Sequence, residues 1–233
     1  MVRIDKNGIL EFLSETMKIV VDCECKDEEK VKYLFCKYIN DDKDNFKSFF
    51  ATLDNITHML KEDLDFFMDS DPAIDSRDEV LIAYPGYKAI AYYRIAHELH
   101  NLKIFLPSRV IGEEAHFSTG IDIHPGAQIG CPFFIDHGTG IVIGETSIVG
   151  HHVKLYQGVT LGALSLTKGA AMKGIKRHPT IMNYVTIYSN ASILGDVTIG
   201  NNVTIGGNVF LTESIHDNTK VIISKPELVI IKK

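Results

Sequence analysis

The stretch Ile181–Leu211 reads IMNYVTIYSNASILGDVTIGNNVTIGGNVFL. Every sixth residue in it is aliphatic: Ile181, Ile187, Ile193, Ile199, Ile205 and Leu211. Two residues before an aliphatic stands a small or β-branched side chain, as at Val185, Ala191, Val197 and Val203. Glycine follows at Gly200 and Gly206. A helix cannot use a six-residue period, because 3.6 residues per turn would carry the aliphatic stripe around its surface. A coil with three short flat faces can, turning one aliphatic inward at each face. The pattern predicts a parallel β-helix built of hexapeptides.

The same phase runs upstream through Ile123, Ile129, Ile135, Ile143, Val149, Leu155 and Leu161, with Ala127, Val153 and Val159 two residues ahead and Gly130, Gly144, Gly150 and Gly162 behind. Two steps depart from six. Between Ile135 and Ile143, two extra residues fall at Thr139-Gly140, just after Asp136-His137-Gly138. Between Leu161 and Ile181 the step is twenty, so about fourteen residues leave the coil. A long excursion from a regular solenoid is usually functional. This one, ALSLTKGAAMKGIKRH at 163–178, holds Lys168, Lys173, Lys176 and Arg177, and no acid occurs from Thr146 to Gly195. It reads either as a cationic lip for an anionic ligand, such as a phosphate-bearing cofactor, or as a solvated loop.

Up to about residue 105 the spacing is helical instead. Leu10, Leu13, Met17 and Val20 recur at three- and four-residue steps, on one predicted helix face. Acid-rich Asp41–Asp44 and Lys61–Asp71 read as solvated faces and connections. Tyr84-Pro85 reads as a helix entry, since proline lacks an N–H that the first turn does not need; the helix runs through Leu102, with Pro107 beyond its end. The expected division is a helical domain at 1–105, a coil domain at 106–215 with its loop at 163–178, and a tail at 216–233.

Composition bounds the rest. The chain has 233 residues, 45% hydrophobic and 23% charged, which excludes wholesale disorder and a disulfide-dense mini-protein. Its net charge of −6 argues against nucleic acid as a partner, because phosphate contacts need clustered Lys and Arg. Cys23, Cys25, Cys36 and Cys131 are sparse and uneven, as expected of reduced thiols. No apolar run is long enough to span a membrane, and MVRIDKNGILEFLSE lacks a signal-peptide core. A cytoplasmic protein is expected, with no membrane partner.

Most histidines have structural readings. His97 and His100 share a helix face at i, i+3, unlike the zinc pair of HExxH. His151 and His152 are adjacent and should point to opposite sides of a strand; His116 and His216 have no evident partner. His137 and His178 differ, because each stands at the margin of one departure from the six-residue period. Asp122 lies fifteen residues before His137, near one full coil, so stacking could bring them together. A carboxylate beside an imidazole suits a general base for a hydroxyl; alternatively the pair merely pins a turn. There is no G-x-S-x-G elbow, and Cys131 reads as a structural thiol.

At these residues the chain resembles the serine O-acetyltransferase family. The match runs through DIHPGAQIG (Asp122 to Gly130), IDHGTGIVIGET (Ile135 to Thr146), LYQGVTLGA (Leu155 to Ala163), KRHP (Lys176 to Pro179) and SNASILGDVTIG (Ser189 to Gly200). Upstream, DPAIDSRDE (Asp71 to Glu79) and YRIAHEL (Tyr93 to Leu99) continue it. The resemblance implies an α + β chain: an α-helical N-terminal domain followed by a left-handed parallel β-helix, an exception to right-handed crossovers. It implies acetyl transfer from acetyl-CoA to the L-serine hydroxyl in cysteine biosynthesis, without a metal. By motif, His137 would be the general base and Asp122 its orienting carboxylate. Asp71 and Asp136 would hold the serine ammonium and Arg177 the carboxylate. His178, counted with His137 and Asp122 among the catalytic residues, would complete the serine pocket from a neighbouring subunit of a homotrimer or dimer of trimers. Backbone at Gly162, Ala163, Ser189 and Gly207 would line the pantetheine channel, and L-cysteine would be the feedback inhibitor. The family tail usually ends in isoleucine, which enters the next pathway enzyme. Here the tail reads VIIKK, so a standard cysteine synthase complex is not expected. Other readings are a hexapeptide acetyltransferase for a sugar or xenobiotic hydroxyl, a γ-type carbonic anhydrase lacking its three histidines, and a silent trimeric scaffold.

Overall fold

In the computed structural model, residues 5–22, 27–165, 169–172 and 174–224 are described. Cys23, Cys25, Lys168, Lys173 and the VIIKK tail lie outside them. The first helix, α1 (Lys6–Met17), starts where the Asp5 carboxylate accepts from the Asn7 N–H at 3.1 Å, satisfying one of the donors a helix start leaves open. Its buried stripe is Ile9, Phe12, Leu13 and Thr16, so Leu10 and Met17 sit at the edge of the expected face. There follow α2 (Glu28–Leu34), α3 (Lys43–Phe50), α4 (Leu53–Ser70), α5 (Arg77–Ala83), α6 (Pro85–Asn101) and α7 (Phe105–Thr119). Ser76 caps α5 by accepting from the Glu79 N–H, while the Glu79 carboxylate reaches back to the Asp75 N–H. Pro85 opens α6 as its sequence position predicts.

The expected boundary at residue 105 is displaced. Pro107 lies in the first turn of α7, where its missing N–H is harmless, and the helix runs on to Thr119. Its buried face, Pro107, Ser108, Ile111, Gly112, Ala115 and Thr119, is made mostly of small side chains, so its apolar periodicity is faint. Gly120, at φ 73°, ends it in a left-handed turn.

The coil then holds fourteen short strands among the described residues: β1 (Asp122–Ile123), β2 (Gln128–Ile129), β3 (Phe133–Asp136), β4 (Val142–Ile143), β5 (Ile148–Val149), β6 (Val153–Tyr156), β7 (Thr160–Gly162), β8 (Thr180–Ile181), β9 (Thr186–Ile187), β10 (Ser192–Leu194), β11 (Thr198–Ile199), β12 (Thr204–Ile205), β13 (Phe210–Leu211) and β14 (Lys220–Val221). All pairings are parallel, in three sheets ordered β1-β4-β7-β10-β13, β2-β5-β8-β11 and β3-β6-β9-β12-β14. The aliphatics stack in register, Ile123 under Ile143, Ile143 under Leu161, Leu161 under Ile193 and Ile193 under Leu211 in the first sheet. All thirteen are buried except Ile129, which is partly covered. This is the parallel β-helix that the hexapeptide period predicts. The coil also reaches past residue 215, since β14 pairs with β12.

The helices are anchored to the first circuit of the coil. The Gly86 Cα passes so close to β3 that a Cβ there would fall 2.2 Å from the Ile135 carbonyl oxygen. Buried Tyr93 donates to the Ala127 carbonyl at 2.6 Å and accepts from the Ile129 N–H at 3.1 Å. Arg94 and Asp63, on α6 and α4, form a two-pronged buried ion pair at 2.7 and 2.9 Å. Asp63 also accepts from the Phe133 N–H at 2.8 Å, and Arg94 donates to the Gly130 carbonyl at 3.2 Å. Phe67 packs edge-on against Phe134 with ring centroids 4.7 Å apart. These contacts set the end of α4 against the end of β3, and Asp71 and Asp136 both act on the Tyr84 and Tyr156 hydroxyls.

Candidate active site

One group of expected site residues gathers where the third sheet turns into the first. Asp136 ends β3, and His137 follows it at φ 57°, a left-handed conformation that throws its ring outward from the turn. The imidazole is 69% exposed, with Nδ1 3.5 Å from Asp136 Oδ1. Gly138 and Gly140 also have positive φ, so the two extra residues make a wider corner here. Asp71, the residue after α4, accepts from the Tyr84 hydroxyl at 2.9 Å and from the Ala73 N–H at 2.9 Å. Burial and the Asp71 carboxylate push the Tyr84 hydroxyl up to about 12. Tyr156 stands beside Asp136 on the neighbouring strand and stacks on Tyr188 at 5.0 Å. Burial, then Asp136, raises the Tyr156 hydroxyl. Ser189 and Gly207 occupy the same corner further along, where a Cβ on Gly207 would meet the Ser189 carbonyl at 3.2 Å.

The other group gathers where the first sheet turns into the second. His178 is 7% exposed, with its Nδ1 2.8 Å from Thr146 Oγ1 and 3.1 Å from the Thr146 backbone nitrogen. Burial first, then Arg177 and Lys176, bring it down to about 4. Arg177 is paired with Glu145 and donates to the Met172 and Ile175 carbonyls at 3.3 Å. Lys176 bonds the His178 carbonyl and lies 3.6 Å from Asp196. The end of the cationic excursion is therefore tethered to the coil. Gly162 and Ala163 leave the first sheet at this corner, the Gly162 carbonyl accepting from the Gly195 N–H at 3.0 Å.

Because His178 is neutral in the fold but free to charge in the unfolded chain, the unfolded state binds the extra proton between about pH 6.5 and about 4. Stability is then lost as pH falls through that window. Urea midpoints across it are expected to fall more steeply for the native chain than for His178→Gln; parallel curves would contradict this.

The two groups lie at opposite edges of the first sheet, and no described hydrogen bond or ion pair links them. Asp122 likewise makes none with His137 within one chain. The reason is register: the insertion lengthens the first circuit, so Asp122 stacks under Val142, twenty residues on, rather than against His137. Asp136 is the carboxylate beside that ring.

Tyr84, Tyr156, Tyr188, Glu145 and Thr146 escaped sequence reasoning. A signal was present for two of them: Asp136, Tyr156 and Tyr188 each follow an inward aliphatic of the third sheet, at 135, 155 and 187. Cys131 Sγ lies 3.2 Å from the Met59 carbonyl and 3.4 Å from Asp63, and burial pushes its thiol far up, which suits structure rather than nucleophilic attack. His97 Nδ1 donates to the Pro125 carbonyl at 2.7 Å, and His100 packs edge-on against Phe105. Among the described residues no three His, Cys, Asp or Glu side chains could jointly hold a metal, and no helix is long and apolar enough to cross a membrane. An open groove of about 700 Å³ along the second sheet, beside His97 and His151, contains none of the expected site residues.

Residues 178–213 match the family model for the bacterial transferase hexapeptide (six repeats). A plasmid-encoded serine acetyltransferase of Synechococcus elongatus is 49% identical over 146 residues, covering 61% of this chain and 46% of that protein. The Helicobacter pylori serine acetyltransferase is 46% identical over 128 residues, covering 55% of this chain and 71% of that protein. The chain spans about half the length of several curated relatives it matches. The crystal structure of Entamoeba histolytica serine acetyltransferase isoform 3, in complex with cysteine, superposes with a TM-score of 0.82 at 32% identity, covering 99% of this chain and 85% of that one. Relatives matched over most of their length, by sequence and by fold, show that the chain belongs to the serine acetyltransferase family.

Proposed function

We propose that this protein is a serine O-acetyltransferase, moving acetyl from acetyl-CoA to the L-serine hydroxyl and releasing O-acetyl-L-serine and CoA on the route to cysteine. The observation that carries this reading is the distribution of charge between the two corners. One offers Asp71 and Asp136 beside an exposed His137; the other offers Arg177 beside a neutral His178. That polarity suits an acceptor with both an ammonium and a carboxylate, and a neutral sugar would leave it unused.

His137 takes the hydroxyl proton as the serine oxygen attacks the thioester carbonyl. The tetrahedral adduct collapses, the C–S bond breaks, and the departing CoA thiolate receives the proton from the His137 imidazolium. Backbone near Gly162, Ala163, Ser189 and Gly207 lines the pantetheine path. The corners of one chain are separated by a sheet, so the complete site needs one corner of one chain against the opposite corner of the next. Such a head-to-tail contact closes as a ring, here a homotrimer. In it Asp122, on the intervening sheet, orients His137 only where a second chain brings the two together. Tethering of Arg177 by Glu145 is met by exchange or sharing when the acceptor carboxylate binds.

The test is thiol release from acetyl-CoA with and without L-serine. Serine-dependent release is expected; none from a folded oligomer would sink the reading. Release with sugar acceptors alone would favour another hexapeptide acetyltransferase, and absence of release with every acceptor tried would favour the scaffold. The cysteine-bound relative supports L-cysteine as inhibitor. Because cysteine reacts with thiol reagents, that arm follows loss of the thioester absorbance. Its apparent KM for serine should rise with added cysteine, and unchanged serine kinetics would remove the inhibitor assignment.

A further inference from the structure

We propose that Thr146 is a positioning residue that fixes His178 as a neutral ring with its proton on Nε2. His178 then donates to the carboxylate of the acceptor amino acid and does not withdraw the hydroxyl proton. The substrate half of this rests on the acetyltransferase reading; the tautomer half does not.

The assignment follows from counting donors and lone pairs. The Thr146 backbone N–H lies 3.1 Å from His178 Nδ1, and an amide N–H can only donate. Thr146 Oγ1 lies 2.8 Å from the same nitrogen. That oxygen already accepts the Arg177 N–H at 2.9 Å and the His178 N–H at 3.1 Å. A hydroxyl has two lone pairs and one hydrogen, so its hydrogen is left to point at Nδ1. Nδ1 thus faces two donors and must be the bare nitrogen, which puts the proton of the neutral ring on Nε2.

The surroundings agree. Arg177, Lys176 and His124 oppose a positive charge on the ring, and Glu145 alone acts the other way. The ring also lies flat over Gly144, where a Cβ would come within 2.1 Å of Cδ2 and 2.2 Å of Nε2. Nε2 has no hydrogen-bond partner among the described residues. It presents an N–H, which a base cannot use and a carboxylate can accept.

Nitrogen-15 histidine NMR of the full chain without substrate reads the tautomer directly, with His178 assigned by its disappearance in His178→Gln. A bare Nδ1 and a protonated Nε2 are expected. A proton on Nδ1, or a mixture of the two forms, overturns the assignment. Thr146→Val keeps the side chain's shape and removes one of the two donors facing Nδ1, leaving the backbone N–H; it should weaken the preference enough to admit a second, Nδ1–H form and raise the serine KM about tenfold or more with kcat little changed. Thr146→Ser should restore both. A valine variant with native spectrum and native KM overturns the positioning role. Should the valine variant not fold, the native and serine spectra still decide, because a serine variant with mixed tautomers is equally contrary. Loss of serine turnover in the native chain would strike the acetyltransferase reading while the spectrum still reports on Thr146.

Discussion

His137→Ala is expected to lower serine-dependent turnover by about 10²–10⁴-fold, the contribution of a positioned general base. A serine hydroxyl is a weak nucleophile, and no other exposed imidazole stands at that corner among the described residues. The same substitution should leave stability nearly unchanged. The ring is 69% exposed, its contact with Asp136 is a long 3.5 Å, and exposed pairs of this kind are worth little. The left-handed backbone at φ 57° suits alanine somewhat less well than histidine, so what stability is lost comes from the backbone. His137→Asn is the sharper control, since asparagine tolerates that conformation but supplies no base. The measurements are thiol release with L-serine and a urea unfolding curve for each variant. A variant with rates near the native level would move the base elsewhere, whatever the motif suggests.

Arg94→Ala is expected to destabilise the fold by about 3–5 kcal/mol, with no direct effect on the reacting atoms. Its guanidinium and the Asp63 carboxylate are 1% and 0% exposed, so removing one leaves the other charged in a nearly dry interior. The same carboxylate holds the Phe133 N–H at 2.8 Å, so the loss also loosens the strand that presents Asp136 and His137. Arg94→Lys keeps the charge and loses the fork that reaches both carboxylate oxygens, so it should fall between alanine and the native chain. Urea midpoints rank the three. Equal midpoints for alanine and the native chain would show that the helical half is held by apolar packing alone.

Serine-family motifs and the hexapeptide period were legible because both are properties of the chain order. One aliphatic per short flat face recurs whatever else the molecule does, and the two breaks in that rhythm marked the two corners. Helix α7 was not legible: its core face uses Ser108, Gly112 and Ala115, which carry almost no hydrophobic signal. The end of the helical region was therefore placed too early. The Asp122–His137 pairing is not made within one chain, for a different reason. A spacing near eighteen suggests stacking, but the insertion that marks the corner also lengthens the circuit to twenty, and register follows the actual count.

From the sequence alone came the β-helix, the helical half before it, and the histidines at the breaks in its period. The tertiary structure alone decided which carboxylate neighbours His137 within one chain, and that His137 and His178 occupy opposite edges of one sheet. It also decided that His178 is buried and neutral while His137 is exposed. A period describes where each residue points relative to its own neighbours in the chain. Burial, ion pairing and protonation depend on groups such as Asp63, Arg94 and Thr146, which the fold brings in from distant positions, and no spacing along one chain encodes those distances.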